Sequence, residues 1–214
     1  MNTAHLCTRI SELAYDDNPR PGLLSLGFDL VRAYDRGGTQ AILATDYADV
    51  VLAFRGTEEP RDLFRDLRYI KTDFPGGGRV HRGFYSAFLE VWDEIAADLK
   101  NLAYPKIYTG HSLGAALAVM AAVMAPPREV HVYGCPRVGN RAFTDRLKCP
   151  VFRYENWFDL VTYVPPATSP VQAVHAWAHG RAPTLYHHPR TKVATPALGH
   201  FIRRYVKATV KLDR

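Results

Sequence analysis

The chain has 214 residues, 47% of them apolar, and 27 basic against 21 acidic side chains give a net charge of +6. That length favours one domain with a substantial buried core, and no apolar run reaches the roughly 18 residues that a membrane-spanning helix needs. The basic residues are dispersed instead of gathered in one stripe, which argues against a nucleic-acid partner. Ala4, Cys7, Ile10, Leu13 and Ala14 recur at helical spacing and predict a short opening helix that ends before Asp16-Asp-Asn-Pro19. Two strands follow near 41–45 and 49–55, parted by a turn bearing tyrosine and aspartate. Phe84, Phe88, Val91, Trp92, Ile95, Leu99 and Leu102 predict a long helix with one broad buried stripe. A strand then enters Gly110-His-Ser112-Leu-Gly114, and an alanine-rich apolar helix leaves it. Further strands are expected near 130–133 and 151–155. The stretch 171–188, with Gly180 and Pro183 between alternating segments, predicts a late β-hairpin, and 197–212 a closing amphipathic helix. The alternation predicts an α/β fold, a mainly parallel central sheet flanked by helices, with no repeat or linker dividing residues 1–214.

Sites in such sheets gather at the carboxyl ends of the strands, and Ser112 stands at one. A serine hydroxyl is a poor nucleophile unless geometry and a base activate it. A strand turning sharply into a helix holds the serine on a strained elbow with its oxygen clear of the sheet. The pentapeptide alone is weak evidence; the strand before it and the helix after it make it a nucleophile elbow.

Such a serine needs a histidine to take its proton and a carboxylate to orient that histidine, in the chain order Ser, Asp or Glu, His on an α/β-hydrolase scaffold. The downstream carboxylates are Glu129, Asp145, Glu155, Asp159 and Asp213. Asp145 reads as an exposed helical position and Glu155 as part of a strand. Asp159 follows that strand by a few residues, on a loop off the sheet's carboxyl edge, and is the favoured orienter. Of His175, His179, His187, His188 and His200, the first four fall in or around the expected hairpin. His187 and His188 would face opposite sides of a strand, and no carboxylate or cysteine at ligand spacing makes a metal site of these histidines. His200 follows Gly199 just before the closing helix and is the expected base. His111, beside the nucleophile, suits packing or hydrogen bonding.

Cys7, Cys135 and Cys149 are odd in number and lack metal-ligand spacing, so they read as reduced thiols, with a Cys135–Cys149 bridge as the alternative. That usage favours a cytoplasmic origin. The first ten residues lack the basic-then-apolar pattern of a secretory signal, and a start just after a removed signal would look the same. The densest basic cluster, Arg203, Arg204, Lys207, Lys211 and Arg214, reads as a solvated helix face, the other reading being loose attraction to an anionic membrane or micelle surface.

Several motifs, in order, resemble the lipase class 3 family, the fungal-lipase-like branch of the α/β-hydrolases. They are Val50-Val-Leu-Ala-Phe-Arg-Gly-Thr57, His81-Arg-Gly-Phe84, Thr109-Gly-His-Ser-Leu-Gly-Ala115 and Tyr133-Gly-Cys-Pro-Arg-Val-Gly-Asn140, then Asn156-x-x-Asp159-x-Val161-x-x-x-Pro165-Pro166 and His200-x-x-x-x-Tyr205. The resemblance implies an oxyanion hole made by Thr57, through its backbone N–H and often its hydroxyl, and by the backbone N–H of Leu113. It also implies a lid over about 58–75, where Leu63, Phe64, Leu67 and Ile70 recur at helical spacing and Gly76-Gly-Gly78 gives a flexible return. A helix that packs permanently and gates nothing is the other reading of that segment. Leu63 stands where many members carry a lid tryptophan, Cys135 where serine is common, and the chain is shorter than secreted fungal members and lacks their disulfides.

The expectation is a carboxylic ester hydrolase acting on acylglycerols or similar lipid esters through Ser112, His200 and Asp159, with no cofactor and with transient contact at a membrane or micelle surface. A phospholipase or a short-chain or aromatic esterase is the nearest alternative; a non-catalytic lipid-binding protein on the same fold is the more distant one.

Overall fold

A computed structural model describes residues 1–57, 70–156, 159–163, 177–178, 184–188 and 202–210. The chain opens with α1 (Thr3–Leu13), α2 (Arg20–Ser25), β1 (Asp29–Arg36), β2 (Thr39–Thr45) and β3 (Val50–Phe54). After β4 (Lys71–Asp73) and β5 (Arg79–His81) come the 20-residue α3 (Arg82–Asn101), β6 (Lys106–His111) and α4 (Leu113–Met124). Then follow β7 (Glu129–Tyr133), β8 (Gly139–Asn140), α5 (Arg141–Thr144), β9 (Val151–Asn156), a 3-10 turn (Leu160–Tyr163), β10 (Trp177–Ala178), β11 (Thr184–His188) and α6 (Ile202–Thr209).

The main sheet has seven strands in the order β1-β2-β3-β6-β7-β9-β11. β1, β2 and β3 pair antiparallel, and every pair from β3 to β11 is parallel. β3 is buried at all five positions because both sheet faces are covered. Its alternate residues separate cleanly: Val50, Leu52 and Phe54 join a core with α3 and α4, whereas Val51 and Ala53 join a second core with α1, α2 and Tyr205 of α6. α4 is buried from Gly114 to Val123 without a break, as an apolar all-round helix must be. α6 buries Tyr205, Ala208 and Thr209. Thr209 shares hydrogen bonds with Thr8 (2.9 Å) and with Nδ1 of His5 (3.1 Å) on α1. In the basic cluster, Arg203 and Lys207 are exposed, as a solvated face requires; Lys211 and Arg214 lie outside the described residues.

Two expectations need correction. The stretch 171–188 is not a hairpin: β10 pairs antiparallel with β8 in a small sheet of order β10-β8-β5-β4, and β11 runs parallel to β9 in the main sheet. Alternation marks a strand but not its partner, and the buried backbone of β9 takes the hydrogen bonds that a hairpin would have kept local. Nor is Gly76-Gly-Gly78 a loose return. All three glycines have positive φ and close the turn between β4 and β5, where Phe74 donates to the Gly78 carbonyl at 3.0 Å. Of the expected lid, residues 58–69, with Leu63, Phe64 and Leu67, lie outside the described residues. Ile70 is exposed, and its carbonyl accepts from Arg82 at 2.9 Å beside β4.

β1 escaped the sequence analysis. It is an edge strand with Tyr34 as its one buried residue. Its charges face α3, where Arg36 meets Glu94 at 2.9 Å and Arg32 meets Asp98 at 3.0 Å. Charged edges of this kind discourage pairing with a second sheet.

The three cysteines are free. Burial pushes the Cys135 thiol up to about 11 and that of Cys7 further still. The thiolate is the reacting form, and both of these thiols are buried and held protonated at pH 8. Iodoacetamide at pH 8 is therefore expected to modify half-buried Cys149 in the native protein and to reach Cys7 and Cys135 only after denaturation. Mass mapping of the labelled peptides checks this.

Candidate active site

Ser112 sits between β6 and α4 with φ 58° and ψ −124°, a sparsely populated positive-φ conformation that costs a residue with a Cβ about 1–3 kcal/mol. The surroundings hold it there. Its N–H donates to the Tyr133 carbonyl of β7 at 3.0 Å, and its carbonyl accepts from Ala115 at 3.1 Å. Gly110 and Gly114 let strand and helix touch: a Cβ on Gly110 would lie 2.4 Å from the Gly114 carbonyl oxygen. The Ser112 hydroxyl is buried and makes no hydrogen bond among the described residues.

Beside it lies an open cavity of about 360 Å³ lined by Gly38, Thr39, Gln40, Arg55, Gly56, Thr57 and Leu113. Thr57 and Leu113, the two residues expected to hold an oxyanion, thus face one space. The Thr57 hydroxyl is also buried without a hydrogen-bond partner among the described residues. Leu113 is the first residue of α4, so its N–H has no acceptor within the helix and lies at the positive end of the helix dipole. Gln40 and Arg55 on the cavity wall were not foreseen. The Arg55 guanidinium donates to the Gln40 side-chain oxygen at 2.5 Å, and Gln40 donates to Asp35 at 2.8 Å. Only Arg55 had a sequence signal, its place in the Phe-Arg-Gly-Thr run.

Asp159 is fully buried, three residues past the end of β9. Its carboxylate accepts from Tyr205 Oη at 2.6 Å and from the Val161 N–H at 3.0 Å. Tyr205 Oη accepts in turn from the Asn156 N–H at 3.3 Å. Burial first, and the Asp159 charge second, push the Tyr205 phenol well above its ordinary value, so it stays a donor. Tyr205 stood in the sequence only as the end of a motif; its contact with Asp159 spans 46 residues of chain. Asp145 is exposed near Arg141 at 3.6 Å and Glu155 is buried on β9 against the Arg153 guanidinium, as expected, and Asp213 lies outside the described residues. His111 hydrogen-bonds through Nδ1 to Tyr15 Oη at 2.8 Å. His200 lies outside the described residues. Among those described, no three His, Cys, Asp or Glu side chains gather as a metal set.

Tyr205→Phe tests the Asp159 cradle. A hydrogen bond to a charged group is worth about 1.5–3 kcal/mol, so kcat is expected to fall roughly 10- to 100-fold with KM little changed. Steady-state kinetics on a soluble ester reads the split.

A buried serine with positive φ at the carboxyl edge of a mainly parallel sheet, with a helix N-terminus beside it, is the architecture of the α/β-hydrolase fold. The profile of the family "Lipase (class 3)" matches residues 51–169, more than half of the chain, and the chain belongs to that family. It is 31% identical over 137 residues to a lipase of Rhizomucor miehei, spanning 55% of this chain and 38% of that protein. It is 36% identical over 125 residues to secreted mono- and diacylglycerol lipase 1 of Fusarium solani, spanning 50% of this chain and 36% of that protein. The matched part is thus well under half the length of these relatives. In three dimensions the chain is similar to the triacylglyceride lipase of Rhizomucor miehei, with a TM-score of 0.68, 26% identity, and coverage of 77% of this chain and 73% of that one.

Proposed function

We propose that this protein is a carboxylic ester hydrolase that cleaves acylglycerol esters through an acyl-enzyme. The observation that carries the reading is the Ser112 hydroxyl, buried and without a hydrogen-bond partner among the described residues, next to a cavity lined by Thr57 and Leu113. Ser112 Oγ attacks the ester carbonyl carbon while His200 takes its proton. The oxyanion is held by the N–H groups of Thr57 and Leu113, each such donor being worth roughly 3–4 kcal/mol. Collapse of the tetrahedral species breaks the bond to the alcohol, which leaves with the proton from His200. Water then attacks the acyl-enzyme with His200 as base, and the carboxylic acid departs. Asp159 holds the imidazole in the working tautomer and stabilises its charged form.

Chain connectivity supports the role of His200. Ile202 opens the helix whose Tyr205 grips Asp159, and two residues of chain reach at most about 7 Å. Membership of the lipase class 3 family supports a lipid ester as substrate, and the resemblance to that family supports a lid over about 58–75.

A fluorophosphonate probe is expected to label the native protein once, at Ser112, and to inactivate it toward p-nitrophenyl esters in step with labelling. Activity that survives complete labelling, or an adduct on another residue, overturns the proposal. A series of acyl-chain lengths, with and without emulsion, separates acylglycerol lipase from short-chain esterase.

A further inference from the structure

We infer that Tyr15 is a positioning residue for the oxyanion hole: its hydroxyl sets the spacing between the Thr57 donor and the Ser112 nucleophile. The inference deepens the ester-hydrolase reading and rests on it. The key position is Gly56, where three elements meet. A Cβ built on Gly56 would lie 2.3 Å from Tyr15 Oη, 2.5 Å from the His111 carbonyl oxygen and 3.1 Å from Ser112 Cβ. The tyrosine hydroxyl is thus wedged where the end of β3 passes the elbow, one residue before Thr57. From there it hydrogen-bonds His111 Nδ1 at 2.8 Å, on the residue preceding the nucleophile. On the other side its ring lies under the Arg55 guanidinium, 5.5 Å from centroid to charge. One side chain therefore touches both halves of the site.

The mount is rigid. Tyr15 follows α1, its N–H donating to the Glu12 carbonyl at 3.0 Å. α1 is fixed to the sheet beneath the elbow by the hydrogen bond between Ser11 Oγ and Thr109 Oγ1 at 2.9 Å. Thr57 follows directly on Arg55 and Gly56, beside which the Tyr15 side chain lies. The His111 ring also faces Tyr205 at 5.8 Å, which links this contact to the Asp159 side of the site. A displacement of about 1 Å in a reacting geometry costs roughly 100-fold in rate, so a missing hydroxyl at this junction is felt in catalysis before it is felt in binding.

Tyr15→Phe keeps the ring under Arg55 and removes only the hydroxyl. On a soluble p-nitrophenyl ester, kcat is expected to fall about tenfold or more with KM within about twofold. The affinity for a trifluoromethyl ketone, whose tetrahedral adduct places an oxyanion in the hole, falls in the same proportion as kcat/KM, while inhibition by the product carboxylic acid is unchanged. His111→Gln alters the other end of the hydrogen bond and gives the same kcat-selective loss, and the two substitutions together cost less than the product of their separate losses. Unchanged kcat and ketone affinity in Tyr15→Phe overturn the inference. So does a loss that tracks a lowered melting temperature and appears equally in product inhibition. Absence of turnover in the wild-type protein overturns the hydrolase reading itself and the positioning role with it.

Discussion

Ser112→Ala is expected to abolish ester turnover, by about 10⁴- to 10⁶-fold, while leaving the melting temperature close to that of the wild type. The elbow backbone is left as it was, because the φ of 58° burdens alanine and serine alike. Ser112→Gly, freed of the Cβ, should gain about 1–3 kcal/mol. In a domain of this size each kcal/mol moves the melting temperature by about 2–4 °C, so a rise of a few degrees in the glycine variant is the expected reading by circular dichroism. A lower melting temperature in Ser112→Gly would show that the elbow stores no strain.

How much of this was legible in the sequence follows from burial. The inner strands β3, β7 and β9 are short runs rich in β-branched and aromatic residues, foreseen within a residue or two, and the strand expected to enter Gly110 is β6. β1 was not, because an edge strand exposed to water has no reason to alternate; its Arg32 and Arg36 answer charges on α3, 58 to 66 residues away. The strands of the small sheet are two or three residues long, too short for any period to register. In the site, Ser112 and Thr57 lie within local motifs, and Asp159 is marked by its place after a strand. Tyr15 carries no such mark. It belongs to the end of an opening helix, and its contact with His111 spans 96 residues. Tyr205 did stand in a motif, but its partner Asp159 lies 46 residues away, and that pairing became legible only with the sheet assembled.

Gly114→Ala is expected to be strongly damaging to this fold. A Cβ at Gly114 would lie 2.1 Å from the Phe54 carbonyl oxygen, 2.7 Å from its carbon and 2.9 Å from the Arg55 carbonyl carbon. All three are backbone atoms, so no rotamer change clears them. They belong to the end of β3, which is hydrogen-bonded to β2 on one side and β6 on the other and is covered on both faces. Overpacked cores ordinarily lose about 1–3 kcal/mol, and an obstruction by paired backbone should reach or pass the upper end, a drop of roughly 10 °C in melting temperature. Relief requires α4 to move away from β3, and these are the elements that bear Leu113 and Thr57. Turnover should therefore fall by about 100-fold or more even well below the melting point, where the protein is folded. Ala118→Gly, later in the same helix, supplies the comparison: it costs about 1 kcal/mol of helix propensity, plus the small cavity its lost methyl leaves, and should keep its activity while folded. If Gly114→Ala melts no lower than Ala118→Gly, or keeps wild-type turnover, then the close approach of strand and helix is not what brings the two proposed oxyanion donors together.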